Sequence, residues 1–148
     1  MQDRLKFRVW SKRECKYVEY HLDDDLTFAI DIDGKLIAYA SDYSDHANCD
    51  NGDFDDSHMV EQCTGLKDTN GKLIYEGDVF KAEVINSYNG DENLYKTIYG
   101  QVSWFDIEGC FAFASYQPSD LFEIEVIGNI HENPELLEEY KKMHKVKK

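Results

Sequence analysis

Short runs of alternating apolar and polar residues, separated by turn residues, fill residues 1–40. Residues 5–10 alternate in this way, and residues 17–20 form a candidate partner strand. Residues 26–32 and 36–39 flank Asp33-Gly34, a dipeptide that is typical of tight hairpins. A period of two predicts β-strands that turn one face to a core.

The same period returns in the second half of the chain. It predicts four more strands, over residues 79–85, 95–105, 110–115 and 122–130. Gly100 interrupts the longest of them, which indicates a bulge or the close approach of another segment. Trp104 falls on the same predicted face as Val102.

One helix is predicted, at the C-terminal end. Asn133 suits the N-cap and Pro134 suits the first helical position. Glutamates come early and lysines late, which matches the helix dipole. An apolar stripe can dock on the barrel or on another subunit, and it contains Leu136, Leu137, Tyr140 and Met143.

The strongest turn signals lie between Cys63 and Phe80. Asn70-Gly71 predicts a two-residue hairpin turn with positive φ at both positions. Gly77 is expected to adopt a conformation that other residues resist, and Asp78 to accept hydrogen bonds from neighbouring backbone N–H groups. These four residues are interpreted as structural, since none of them is a recognisable catalytic group.

Residues 64–78 read Thr-Gly-Leu-Lys-Asp-Thr-Asn-Gly-Lys-Leu-Ile-Tyr-Glu-Gly-Asp. This run resembles the signature of the YopX family of small phage and prophage proteins, as do residues 5–10 and 124–137. The chain departs from the family at His131, where a Tyr is common. The resemblance implies a largely β protein with an SH3-like barrel, encoded by a phage or prophage, and no established enzymatic activity.

The fold class predicted is therefore mainly β: a small SH3-like barrel with an N-terminal β block and one C-terminal α-helix. The expected regions are an N-terminal β-hairpin block (1–40), an acidic loop or insert (41–62), a barrel-like domain (63–132) and a C-terminal helix with a basic tail (133–148). A chain of 148 residues suits one compact domain that buries about two-thirds of its unfolded surface.

Neither a membrane-length apolar run nor an N-terminal signal core is present, so the expected location is the bacterial host cytosol. The four cysteines are widely spaced and are expected to be free thiols there.

The net charge of −14 is unevenly distributed. Residues 21–140 hold five basic and 27 acidic residues, a net of −22. Such a surface repels nucleic-acid backbones and favours a protein partner, in particular a basic host protein. The simpler interpretation is a solvated acidic surface that aids solubility.

Residues 41–58 carry no Lys or Arg and predict a long acidic loop. Its candidate partner-binding residues are Asp42, Asp45, Asp50, Asp53, Asp55 and Asp56. His46, Cys49, His58 and Cys63 are four candidate zinc ligands, with incidental spacing as the alternative. No EF-hand spacing occurs, and no other cofactor is indicated.

The motifs of the common enzyme classes are missing, so the chain is interpreted as non-enzymatic. Most of the prominent aromatic residues are expected in the core, with a binding groove as the alternative: Trp10, Tyr75, Trp104, Phe111 and Phe113. Three functions stay open. They are a protein-interaction module that self-associates or binds a host or phage protein, an acidic mimic of nucleic acid that inhibits a host protein, and a recognition loop ordered by zinc.

Overall fold

The computed structural model describes residues 6–18, 26–30, 36–40, 58–85 and 94–145. The chain divides into two compact units. Met1–Phe7 and Glu61–Lys148 form one, here called the barrel unit, and Arg8–Val60 form the other, the hairpin unit.

The hairpin unit contains two antiparallel pairs of strands. Strand β1 (Phe7–Ser11) pairs with the short β2 (Lys16–Tyr17), and β3 (Leu26–Ile30) pairs with β4 (Leu36–Ala40). In the first pair, the rings of Trp10 and Tyr17 meet edge to face with centroids 5.0 Å apart. The Arg8 guanidinium lies over the same Tyr17 ring, 4.6 Å from its centroid. These side-chain contacts link β1 to β2.

The barrel unit contains most of the strands and the helix. Its elements are β5 (His58–Lys67, from Glu61 on), β6 (Leu73–Tyr75), β7 (Asp78–Ile85), β8 (Tyr95–Phe105), β9 (Cys110–Phe113), β10 (Leu121–Asn129) and α1 (Pro134–Lys145). Four of these strands form an antiparallel sheet in the order β10-β7-β8-β9, which curls as a half-barrel. The prediction of a mainly β, barrel-like protein with one C-terminal helix is confirmed.

The core of this unit follows the predicted alternation on β7. Phe80, Ala82 and Val84 are buried, whereas Lys81 between them is exposed. The Phe80 ring meets Phe113 edge to face, with centroids 5.2 Å apart. The other buried members of this cluster are Ile74, Ile98, Val102, Phe113 and Leu121.

Gly100 allows the close approach of another segment. A Cβ placed there would lie 3.2 Å from the Phe80 ring and would collide with the Ala114 Cβ. The register from Val79↔Gln101 to Ile85↔Tyr95 has no shift, so Gly100 marks no bulge in the β7–β8 pair. Of the two predicted explanations, close packing is the correct one.

Helix α1 begins at Pro134, directly after Asn133, and packs against β8. Leu136 and Leu137 are half-buried, and a Cβ at Gly128 would collide with the Leu136 side chain. Burial, with a smaller contribution from Tyr116, raises the pKa of Tyr140. The described part of the apolar stripe therefore docks on the chain's own sheet.

The turn at Gly77 is hydrogen-bonded to three strands of the barrel unit. Its N–H donates to the Val102 carbonyl of β8, and its own carbonyl accepts from Ile130, just after β10, both at 2.9 Å. The preceding Glu76 N–H donates to Gln62 of β5, also at 2.9 Å. Gly77 has φ +81°, and the buried Glu61 carboxylate occupies the space that a Cβ would take.

We expect Gly77→Ala to lower the free energy of unfolding by about 3 kcal/mol, because it combines left-handed strain with displacement of Glu61. Gly71→Ala is the matched control, since Gly71 has φ +82° with open space around it. Its expected cost is the strain alone, about 1 kcal/mol. Urea denaturation of both variants measures the difference, and equal losses would contradict the role given to Glu61.

Candidate functional site

Residues 41–57 of the predicted acidic insert lie outside the described residues, whereas residues 58–62, also predicted as part of it, belong to strand β5. All six of its candidate partner-binding aspartates are within residues 41–57, as are the candidate zinc ligands His46 and Cys49. The other two candidate ligands, His58 and Cys63, are on β5. Cys63 is fully buried, and its Sγ accepts a hydrogen bond from Gly65 N–H.

Within the described ranges, no three His, Cys, Asp or Glu side chains are placed to hold a metal ion. Cys15, Cys63 and Cys110, the cysteines that the structure describes, are free thiols. A zinc site that includes His46 and Cys49 stays a prediction.

The hairpin between β5 and β6 differs from the predicted two-residue turn. Gly71 has a positive φ, but Asn70 does not. Gly71 N–H donates to the Asp68 carbonyl at 2.9 Å, and Asp68 N–H donates to the Lys72 carbonyl at 2.8 Å. Residues 69–71 therefore form a three-residue loop in which glycine occupies the left-handed position.

The buried Asp68 carboxylate accepts hydrogen bonds that hold this loop in place. One oxygen, Oδ1, accepts from the N–H groups of Asn70 (2.9 Å) and Lys72 (2.8 Å). The other, Oδ2, accepts from Val126 N–H on β10 at 3.1 Å. Burial would raise the pKa of the Asp68 carboxyl, but the three N–H donors outweigh it and lower that pKa.

The hairpin loop docks on an irregular stretch of β10. Both the backbone N–H and the hydroxyl of Thr69 donate to the Ile124 carbonyl, at 2.8 and 2.6 Å. The register of β10 against β7 shifts between Phe122 and Glu125, where Glu123 has φ +50°. The bulge turns backbone groups of β10 toward the hairpin, which supplies their partners.

A second buried carboxylate pairs with a histidine. The Glu61 side chain lies 2.8 Å from His131 Nε2, and both groups are shielded from solvent. His131 is in turn positioned by Asn129, whose side-chain oxygen accepts from the backbone N–H groups of His131 and Glu132 at 3.0 and 2.9 Å. Sequence reasoning noted His131 but missed Glu61, because the two are 70 residues apart.

An acidic cleft of about 200 Å³ opens beside the hairpin loop. It is lined by Thr69, Asn70, Lys81, Ala82, Glu83, Glu123 and Glu125. Lys81 Nζ is 4.0 Å from a Glu125 oxygen, and both side chains are nearly half exposed. Three carboxylates against one ammonium make the cleft electronegative, but its charged groups face water.

The far end of the β8–β9 ribbon exposes apolar side chains. Pairing of β7 with β8 ends at Gln101, so among the described strands residues 102–105 of β8 pair only with β9. Exposure reaches 45% for Trp104, 41% for Phe105 and 88% for Ile107. We call residues 104–108 the ribbon tip.

The ribbon tip is held by local contacts. The rings of Trp104 and Phe111 meet edge to face, with centroids 5.0 Å apart. Gly109, with φ +63°, donates its N–H to the Phe105 carbonyl at 2.9 Å and closes the turn. Gln117 Nε2 donates to a Glu108 carboxylate oxygen at 2.7 Å.

The five aromatic residues considered for the core differ in their burial. Trp10 and Phe113 are buried, and Tyr75 and Phe111 are half-buried. The core interpretation is wrong for Trp104. It shares a face with the buried Val102, but β7, whose side chains would flank it on that face, no longer pairs with β8 at this point.

A family model described as YopX protein matches residues 6–138. The chain belongs to the YopX family. A comparison with curated proteins gave no match.

Two solved structures are similar to this YopX-family chain. Protein EF1440 from Enterococcus faecalis is 27% identical, with a TM-score of 0.51 over 89% of this chain and 96% of that one. Protein yopX from Bacillus subtilis is 20% identical, with a TM-score of 0.49 over 90% and 96%. Across the helical part that the structure describes, α1 included, no segment has the length and apolar character of a membrane span.

In this YopX-family chain, the run that resembles the family signature is used for architecture. Thr64 Oγ1 donates to the Ile74 carbonyl at 2.9 Å, and Asp78 Oδ2 accepts from Tyr75 N–H at 2.8 Å. Asp68 and Gly77 bind the strands described above. Each of these residues satisfies backbone groups, so this run helps to hold the fold together.

We expect Asp68→Asn to lower the free energy of unfolding at pH 7 by about 1–3 kcal/mol, because the new amide donor faces Val126 N–H. Since the folded-state pKa of Asp68 is lowered, its contribution is complete above about pH 4 and is lost as pH falls through the folded-state pKa. The difference in unfolding free energy between wild type and Asp68→Asn should therefore become smaller at acid pH. Urea denaturation across pH measures it, with the exposed Asp106→Asn as control. A difference in unfolding free energy that does not change with pH would refute this account of Asp68.

Proposed function

We propose that this YopX-family chain is a non-enzymatic protein-interaction module, encoded by a phage or prophage and acting in the host cytosol. The observation that carries the proposal is the ribbon tip, where Trp104, Phe105 and Ile107 are exposed within four positions. Large adjacent apolar side chains on a soluble surface are typical of binding sites. Tryptophan in particular is enriched among the residues that dominate binding energies.

The fixed geometry of the tip supports the same proposal. The Phe111 and Trp104 rings meet edge to face, the Gly109 N–H closes the turn, and Gln117 donates a hydrogen bond to Glu108. A surface that is already ordered loses less conformational entropy on binding than a mobile one. The exposed rings therefore offer contact area at low entropic cost.

The uses of the buried polar groups favour a non-catalytic role. Asp68, Thr64 and Asn129 all bind backbone groups of the same unit. The Glu61–His131 pair lies against Gly77 and braces the turn there. Among the described residues, these are polar groups committed to the fold, which supports an interaction function over an enzymatic one.

An acidic mimic of nucleic acid is the second candidate. Residues 94–140 contain nine acidic residues and a single basic one, Lys96, and the cleft beside the hairpin adds Glu83. A basic nucleic-acid-binding protein would be attracted to such a surface over a wide area. Binding of that kind weakens steeply with salt, whereas binding through the ribbon tip keeps most of its apolar contribution.

Affinity capture from host lysate distinguishes these candidates. We expect Trp104→Ala/Ile107→Ala to lose at least about tenfold of the captured partner while the protein stays folded, because both side chains are exposed. The control is Leu66→Ala, which removes a similarly exposed apolar side chain from β5 and should capture as wild type does. Light scattering of the same proteins tests self-association through the tip.

Equal capture by wild type and the double variant would contradict the proposal. If that equal capture also disappears at high salt, the acidic mimic becomes the better account.

A further inference from the structure

We infer that the ribbon tip binds an amphipathic segment of a protein partner, in which apolar side chains are flanked by Lys or Arg. This inference rests on the proposed interaction function and specifies its partner. It comes from two features of the tip: its apolar side chains lie on both faces of the ribbon, and its carboxylates lie between them in the sequence.

The apolar groups lie on both faces of a narrow ribbon. Trp104 is paired with Phe111, and the next residue, Phe105, is paired with Cys110. Successive residues on a strand point to opposite faces, so the two rings lie on different sides. Ile107 adds a third apolar group in the turn itself. Two strands are about 5 Å apart, so such a tip fits a peptide segment or groove better than a broad flat surface.

Carboxylates alternate with the apolar groups in the turn. Asp106 and Glu108 are exposed and flank Ile107 in the sequence. The Glu108 carboxylate is fixed by Gln117 Nε2 at 2.7 Å, so its charge has a defined place. The tip itself carries no basic residue, and Lys96 lies near the opposite end of β8. Charge complementarity therefore selects cations beside the apolar contacts and excludes an acidic segment.

A pair of designed peptides tests this directly. One alternates leucine and lysine so that it is amphipathic and basic, and the other replaces every lysine with glutamate. Affinity is measured by fluorescence anisotropy of labelled peptide, and acrylamide quenching of tryptophan reports on the tip. Trp104 is 45% exposed and Trp10 is 6% exposed, so a change in quenching reports chiefly on Trp104.

Charge variants locate the binding. Asp106→Asn/Glu108→Gln removes two charges from the tip, and Glu83→Gln/Glu123→Gln removes two from the acidic cleft. Glu83 is opposite Thr97 of β8, and Thr97 is about 27 Å along the strand from Phe105. The two double variants thus have the same net charge but lose it at different places.

We expect the leucine–lysine peptide to bind and to shield Trp104, and the leucine–glutamate peptide not to bind. The tip charge variant should weaken binding at low salt at least about tenfold, and the cleft variant by no more than about twofold. Trp104→Ala/Ile107→Ala should weaken it at least about tenfold.

Every other pattern overturns the inference. Absence of binding, equal binding of both peptides, or equal weakening by both charge variants would each do so, and the last would indicate diffuse charge attraction. If a second copy of the chain occupies the tip, the wild type self-associates and does not bind the peptide. Trp104→Ala/Ile107→Ala is then monomeric. If Trp104→Ala/Ile107→Ala abolishes partner capture and the tip charge variant leaves it unchanged, the inference fails while the proposed function stands.

Discussion

The barrel unit depends on a backbone position that only glycine fills well. Gly77 must have a positive φ to hydrogen-bond β8 on one side and the end of β10 on the other. The same position must lack a side chain, because the buried Glu61 carboxylate lies against it and reaches His131. The turn before β7, strand β8 and the end of β10 that leads to α1 meet at this one junction.

Local patterns were sufficient to predict the helix and most of the strands, but not β5, whose first five residues fall within the predicted acidic insert. The alternation along β7, the length of β8 and the N-terminal signals of α1 depend on residues that are close in the sequence. The contacts that fix the fold in space are not local. Asp68 binds Val126 and Glu61 binds His131, pairs separated by 58 and 70 residues, and no periodicity reports such pairs. Trp104 shows the same limit, since alternation gives the face of a side chain but not the point at which the neighbouring strand ends.

The residues that hold the fold and the proposed recognition surface lie at different places in this molecule. The segment that resembles the family signature closes the hairpin loop, docks it on the β10 bulge and places Gly77. The ribbon tip lies beyond the last β7 pairing, so its side chains are released from core packing and are available for contact. The acidic cleft lies at the hairpin, where its charges attract cations; in the proposed function they would steer a basic partner without forming the contact itself.

The central claim is that recognition takes place at the ribbon tip, and nuclear magnetic resonance tests it most directly. The indole N–H signals of Trp104 and Trp10 are followed while the leucine–lysine peptide is added to the whole protein. The account predicts a shift of the Trp104 indole together with the backbone amides of residues 104–110, and little change at Trp10. Shifts confined to the hairpin loop and the acidic cleft, at residues 68–71 and 123–125, would contradict it.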